Sequence, residues 1–600
     1  MSEAPDRRYR WTALSNTTLG VFMALLNSSI VIISLPAIFR GIHLDPLKPG
    51  NIGYLLWVLQ SFLIVTAVLV VTFGRIGDIF GRVRMYNAGF LVFTVASVAL
   101  AAVPNHGAAG AVELIVGRVV QGIGGALLMA NSTAILTDVF PPEERGMALG
   151  LNVVAGIAGS FLGLLVGGLL ADVQWRLVFL VSVPFGLFGT VWAYLKLKDM
   201  GQRSPARIDW WGNVTLAAGL VCVLIGITYG IQPYGGHSMG WTSPSVLAEL
   251  SGGLALLCAF AWVERRAPDP LFSLGLFRVR AFAAANLANL MAAVGRGGLQ
   301  FMLIIWLQGI WLPLHGYDFA VTPLWAGIYM IPLSVGFLAS GPASGWLSDR
   351  FGPRPFATGG MLMATVAFLL LMTLPADFPY PVFAVLLLVN GVGSGLFAAP
   401  NTTTIMNAVP ASQRGAASGM RATFLNTGFV LAIGVFFSLM IAGLAARLPQ
   451  ALSSGLVAHG VPADAAHRAA QVPPVASLFA AFLGFNPIRE LLGPSVLASL
   501  PPGRAGLLTG KSFFPSLISG PFHHGLVIAF SASAAMCLVA AVASWLAGGW
   551  RPAGAPAPAP RRPAVAATGS PASDGRGGRS PAAAEPAQAR SAQGRAAPGR

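Results

Sequence analysis

Apolar residues run along the chain in blocks of about 20, the length a helix needs to cross a ~30 Å hydrocarbon core. Short polar stretches separate the blocks. The pattern predicts fourteen membrane helices, at about 12–39, 53–74, 87–104, 111–138, 147–171, 177–196, 209–231, 246–264, 281–312, 322–347, 356–375, 381–408, 416–444 and 524–547. The start, Met1 to Arg10, is short and charged and has no convincing small-residue cleavage site, so no cleavable signal is expected. The stretch 445–523 is the long exception among the connections. Its apolar segments, such as Val475 to Leu483, are too short to span, which predicts surface-lying short helices or a hairpin over the outer mouth.

Composition agrees and excludes other classes. Of 600 residues, 55% are apolar and 10% charged, against roughly 25% charged in an ordinary soluble chain. Disorder is excluded for most of the length, and three Cys, all inside apolar runs, do not make a disulfide scaffold. A net charge of +16 raises nucleic acid as a partner, but the position of the charge removes it. One set of loops holds eighteen basic residues, among them Arg75, Arg82, Arg84, Arg265, Arg266 and Arg350, and the opposite short loops hold only Arg40, Lys48 and Arg176. Positive charge stays on the cytoplasmic side, so both termini are expected there. From 551 onward eight Arg face two acids in a Pro/Ala/Gly-rich context. We therefore expect 548–600 to be a disordered basic cytoplasmic tail, solvated or in weak contact with anionic headgroups.

The chain also repeats itself. Gly74 to Gly81 (G-R-I-G-D-I-F-G) returns as Gly345 to Gly352 (G-W-L-S-D-R-F-G), Gly122-Ile123-Gly124 as Gly391-Val392-Gly393, and Arg145-Gly146 as Arg414-Gly415. Two six-helix bundles follow from this, 12–196 and 281–547, the second including the loop 445–523. A two-helix insertion at 197–280 separates them, and residues 1–11 form a cytoplasmic start. Paired bundles with a site near the midplane are the architecture of alternating access.

The segment Gly74 through Arg84 resembles the loop 2–3 signature of the major facilitator superfamily, and Leu114-x-x-x-Arg118-x-x-Gln121-Gly122-x-Gly124 resembles its fourth-helix motif. The layout, Trp57, Trp175-Arg176, Phe179, Pro184 and the long loop before the last span are similar to the fourteen-span drug:proton antiporters within it. The resemblance implies an all-α polytopic membrane protein with the major facilitator fold, fourteen helices in two pseudo-symmetric bundles plus two. It further implies a monomer in a bacterial plasma membrane, with a small molecule and protons as partners.

Within that frame, Gly74, Asp78, Gly81 and Arg82, with Gly345, Asp349 and Gly352 in the second copy, are the expected gate. An acid there can bond helix N–H groups and a neighbouring Arg, latching the bundles closed on the inside. Pro353 after the second copy weakens its latch. Arg118, deep in span 4, must face the bundle interior, since an unpaired charge in lipid costs about 2.5–3.5 kcal/mol; Glu113, five residues earlier, is poorly placed as its partner. Glu113, Arg118, Asp138 and Arg296 are the candidate proton-coupling or cavity charges, and Arg421 a candidate interfacial or gate residue. Asn27, Gln121, Asn131, Gln308 and Asn401 are candidate polar groups of the substrate cavity. Gly159, Gly163 and Gly167 form a stripe in span 5 expected to pack closely on the opposite bundle. It resembles the family's antiporter motif except that the expected Gly-Pro is Gly163-Leu164.

The chain departs from the family at Asn27, where Asp is usual. An amide can hydrogen-bond but neither takes up a proton nor pairs with a cation; the near-membrane acids are Glu113 and Asp138 in span 4 and Glu249 at the edge of span 8, against Arg118, Arg296 and Arg421 within spans. The cavity is accordingly expected to favour anionic, zwitterionic or neutral amphiphiles over lipophilic cations. No enzyme signature is present: no phosphate-cradling Gly-x-x-x-x-Gly-Lys loop for ATP, no nucleophile elbow and no zinc spacing. No cofactor or metal is expected. The expected function is proton-coupled efflux of drugs or amphiphilic small molecules. A dedicated metabolite exporter with rearranged coupling and a non-transporting receptor or scaffold are the alternatives.

Overall fold

Hydrocarbon offers no partner to a backbone N–H or C=O, so an apolar run that enters it must close its own hydrogen-bond ladder. In the computed structural model residues 6–547 are described, apart from 46, 47, 49, 142, 143, 201–208, 268–271, 411, 412 and 502; the side chains of Arg145, Asp349 and Arg414 also fall outside the described set. The expected tail at 548–600 lies outside the described residues. Among those described, fourteen helices are long and apolar enough to cross a membrane. They are α1 (Arg7–Gly41), α2 (Asn51–Phe80), α3 (Arg82–Ala101), α4 (Gly107–Val139), α5 (Met147–Val173), α6 (Leu177–Lys196), α7 (Trp210–Gly230), α8 (Pro244–Glu264), α9 (Arg280–Leu314), α10 (Thr322–Ser348), α11 (Pro353–Leu371), α12 (Tyr380–Asn407), α13 (Ala416–Ala458) and α14 (Phe513–Leu546). Large apolar side chains on their outer faces, such as Val95, Val116, Val191 and Leu369, are exposed, as lipid-facing positions should be. We call the end that carries residues 7 and 546 the terminal face, and the other the far face.

The packing repeats along the chain. In the first half α1 lies on α5, α2 on α4, and α3 on α4 and α6; in the second, α9 lies on α13, α10 on α12, and α11 on α12 and α14. The halves meet where α5 touches α10 and α2 touches α13. Helices α7 and α8 pack on each other, and α7 leans on α2 and α13, pinned by Thr72 to Asn213 (2.5 Å) and Thr228 to Gln60 (3.1 Å).

Two expectations are corrected here. A Cβ at Gly159 or Gly163 would strike the backbone of Phe22 or Leu26, and one at Gly167 the side chains of Ile30 and Ile33. The stripe therefore seats α5 on α1 of its own bundle. The contact with the opposite bundle belongs to the neighbouring Gly168, which lies against Pro323 and Leu324 of α10; one residue turns the helix by about 100°, enough to move from one partner to the other. The second correction concerns 445–523. Helix α13 continues to Ala458 and α14 begins at Phe513, so the connection is shorter. Its helix Pro474–Phe482 is buried from Val475 onward: Phe479 stacks on Phe437 of α13 at 5.2 Å, and Gly309 of α9 touches Ala481 and Phe482. Its nine residues carry no charge, Ser477 alone having a polar side chain, and re-entrant backbone is tolerated where protein encloses it.

Candidate functional site

One large cavity, of ≈ 710 Å³, lies between the two halves. It reaches the terminal face, where Arg75, Asp78, Arg82 and Gln413 line its mouth, and ends inward at Ile32, Leu164 and Met330. Beyond that depth the halves are joined. Leu164 backbone lies against Gly327, Gln308 donates to Ile33 O at 3.3 Å, and Arg40 donates to Leu483 O of the re-entrant segment at 3.2 Å. The path is open at the terminal face and shut at the far face.

The walls differ in character. From the first half come Val21, Leu25, Ile157 and Phe161 with the hydroxyls of Ser29 and Ser160, 2.5 Å apart, and Asn152. From the second come Arg296, Gln300, Arg421 and Asn426 among Phe337, Phe397 and Phe429. Asn289 fixes α9 to α13 by donating to Arg421 O at 3.1 Å. The glycines around Arg296 admit neighbouring helices: Gly297 faces Ala432 and Phe429, and Gly298 the ring of Phe436.

Arg118 is 1% exposed and is not part of the cavity wall. It donates to Asn27 Oδ1 at 2.5 Å, Gln121 Oε1 at 2.7 Å and Val58 O at 3.4 Å, and its guanidinium lies 4.5 Å from the Phe62 ring centroid. Asn27 passes the chain to Ser182 and Gln121 passes it to Ser97. The cation is thus held by neutral acceptors alone among the described residues. Glu113 is distant from it in function: it accepts from Asn105 at 2.5 Å near the far end of α4.

At the mouth, Arg82 bonds Asp78 at 2.8 Å and also Asp138 and the Ala134 carbonyl. All belong to α2, α3 and α4, so in this state the expected latch joins helices of one bundle and does not cross to the other. With the terminal ends apart, the nearest acceptors are local. Gly81, at φ 107°, and Gly352, at φ 85°, make the turns that the motif requires. Gly74 faces Ala130 and Gly345 faces Ala399, so the two copies occupy matching places. The Asp349 side chain lies outside the described residues; nearby, Arg354 stacks on Trp545 at 3.7 Å.

None of the five amides expected in the cavity lines it. Asn27 and Gln121 serve Arg118. Asn131 donates to Leu127 O and lies against Gly77, Asn401 donates to Ala285 O, and Gln308 belongs to the far-face seam. Trp306 and Trp311 sit in an aromatic cluster with Phe378, away from the cavity. Sequence reasoning missed Asn152, Gln300 and Asn426; the signal it lacked was which side of a buried helix faces the gap. Arg421, expected at an interface or in the gate, lines the cavity wall.

The profile described as Major Facilitator Superfamily matches residues 17–433. The Tetracenomycin C resistance and export protein of Streptomyces glaucescens is 28% identical, covering 88% of this chain and 90% of its own. The Multidrug transporter protein MdtP of Bacillus subtilis is 25% identical, covering 84% of this chain and 87% of its own. Among solved structures, an inward-facing, unoccupied bacterial homolog of the human lysosomal transporter Spinster superimposes with a TM-score of 0.56 at 16% identity, covering 92% of this chain and 100% of that one.

Proposed function

The chain belongs to the Major Facilitator Superfamily, and from that premise we propose that it exports drug-like amphiphilic small molecules by alternating access. The terminal face lies in the cytoplasm and an ion gradient supplies the energy. The observation that carries this reading is the cavity itself, open at one face, sealed at the other, and placed between two like bundles. Loading from the terminal face and release after the bundles rock is what that geometry serves. The concentration of Arg in the loops of that face supports its cytoplasmic orientation, and the names of the relatives from Streptomyces and Bacillus support export as the direction. The membrane potential offers about 2.3 kcal/mol per charge per 100 mV.

Proton coupling is part of the proposal, and one observation favours a rearranged form of it. The position beside Arg118 is an amide that cannot take up a proton, and Asp78 is held by Arg82. Everted vesicles test both points. Accumulation of a fluorescent amphiphile on energisation, abolished by nigericin, supports coupled export; accumulation that survives nigericin and collapses with valinomycin places the drive on the potential. No accumulation by vesicles containing folded protein refutes export.

A further inference from the structure

We propose that Arg296 and Arg421 are the head-group site for an anionic amphiphile: one sulfonate, carboxylate or similar oxyanion on an aromatic or aliphatic body. The proposal rests on the reading that this cavity carries the substrate, and it goes further by assigning the substrate's charge and its orientation.

A guanidinium inside a helix bundle needs acceptors for its N–H groups. Arg118 shows this chain supplying them, with three oxygen acceptors and a ring face. Arg296 and Arg421 are treated differently. Arg296 is held between the rings of Phe337 (5.3 Å) and Phe429 (5.1 Å), yet makes no hydrogen bond or ion pair among the described residues. The rings fix where the cation stands and leave its N–H groups open. Arg421 has a buried Nε without a partner, and Asn289 engages only its carbonyl oxygen. The two guanidinium groups repel each other across the wall formed by α9 and α13. Asn426, on the same wall, keeps an unpartnered buried Nδ2.

No acid on the wall answers these charges. Asp78 is the carboxylate among the described lining residues; it stands at the mouth and bonds Arg82. Two like charges on the low-dielectric wall of a gap, without a protein counter-ion there, attract an anion from outside. An oxyanion can accept from more than one N–H and relieve the mutual repulsion as it does so. The facing wall then decides the rest of the molecule. Leu25, Ile157 and Phe161 offer apolar surface beside the uncharged Ser29, Asn152 and Ser160, so a body of drug size lies against the first bundle while its charged group lies against the second. Such a ligand touches both bundles at once, as a molecule carried by their relative motion must. A lipophilic cation would meet two guanidinium groups and is rejected.

Two dyes of one skeleton test this: 8-anilinonaphthalene-1-sulfonate and N-phenyl-1-naphthylamine differ by the sulfonate. Each is titrated by fluorescence onto the purified full chain in nanodiscs, with empty nanodiscs subtracted. The expected result is at least tenfold tighter binding of the sulfonate, reduced to less than threefold in Arg296→Gln and in Arg421→Gln, with Arg421→Lys retaining part of the preference. Equal binding of the two dyes by the wild type, or an undiminished preference in both Gln variants, overturns the proposal. If a Gln variant fails to fold, displacement on the wild type decides: naphthalene-2-sulfonate should displace the bound dye and naphthalene-2-methanol should not, and equal displacement overturns the proposal. Binding is measured without flux, so the two readings fail separately. A protein that selects the sulfonate but drives no accumulation in vesicles loses the export reading and keeps the site; one that exports neutral and anionic dyes alike does the reverse.

Discussion

Replacing Asn27 asks how a charge inside a helix bundle survives without a counter-ion. Arg118 draws on Asn27 Oδ1 at 2.5 Å, Gln121 at 2.7 Å and the Val58 carbonyl at 3.4 Å. A hydrogen bond to a charged group contributes about 1.5–3 kcal/mol, and an ordinary one about 0.5–1.5 kcal/mol. Asn27→Ala removes the shortest acceptor and also the donor that reaches Ser182 at 3.2 Å, so the expected loss is about 2–4 kcal/mol. Asn27→Asp keeps the shape and places a full negative charge beside the guanidinium. At ~4 Å and an effective dielectric of about 20 the attraction is about 4 kcal/mol; moving a carboxylate out of water costs several kcal/mol. The terms nearly cancel, leaving Asn27→Asp within about 2 kcal/mol of the wild type. Thermal unfolding of the purified protein in one detergent checks the order: wild type and Asn27→Asp close together, Asn27→Ala clearly lower. An alanine variant as stable as the wild type refutes the claim that Arg118 depends on this amide. An aspartate variant less stable than the alanine variant refutes the cancellation.

Other consequences are open to direct measurement. Gly168→Leu sets a side chain where even a Cβ would stand 2.5 Å from Leu324 Cα, so the far face should fail to close; a cysteine placed at Gln308 should then label faster with an impermeant maleimide, and unchanged labelling would contradict the seam described. Phe479→Ala removes the ring stacked on Phe437, at an expected cost of about 3–5 kcal/mol; a loss under 1 kcal/mol would show that the segment lies on the surface. Lys511 donates to Asp318 at 2.5 Å and holds that carboxyl below its ordinary value. A carboxylate shifted down adds stability above its unfolded value near 4 and loses it as pH falls through the lowered value. Both groups are largely exposed, so the effect stays below about 1 kcal/mol. Pepsin cleavage of the 459–512 connection should accelerate below about pH 4 and start from a higher rate in Lys511→Ala; a pH response identical in the variant would disconnect it from this pair.

The membrane helices were legible because hydrocarbon imposes a length and forbids most charge. The internal repeat made the pairing of helices legible as well: Gly74 on Ala130 and Gly345 on Ala399 are one contact written twice. Side-chain destinations were harder to read. A polar residue in an apolar run must avoid lipid, but that condition is met equally by a bundle interior and by a water-filled gap. Asn27, Gln121, Asn131 and Asn401 took the first course, Asn152 and Asn426 the second. The glycine stripe posed the same problem, since two neighbours flank α5 and spacing alone does not choose between Phe22 and Leu324. Val475 to Leu483 was too short for a span and was read as surface, because length separates spanning from non-spanning and says nothing about depth.

The re-entrant helix Pro474–Phe482 also gives the far exit a handedness. It packs on α9, α13 and α14, while the first bundle holds it through the single described hydrogen bond from Arg40. A parting of the far ends would carry the helix with the second bundle as a fixed eave and leave the first bundle bare. The far face is therefore asymmetric: the second bundle carries a roof of its own there, and the rim of α1 and α2 carries none among the described residues.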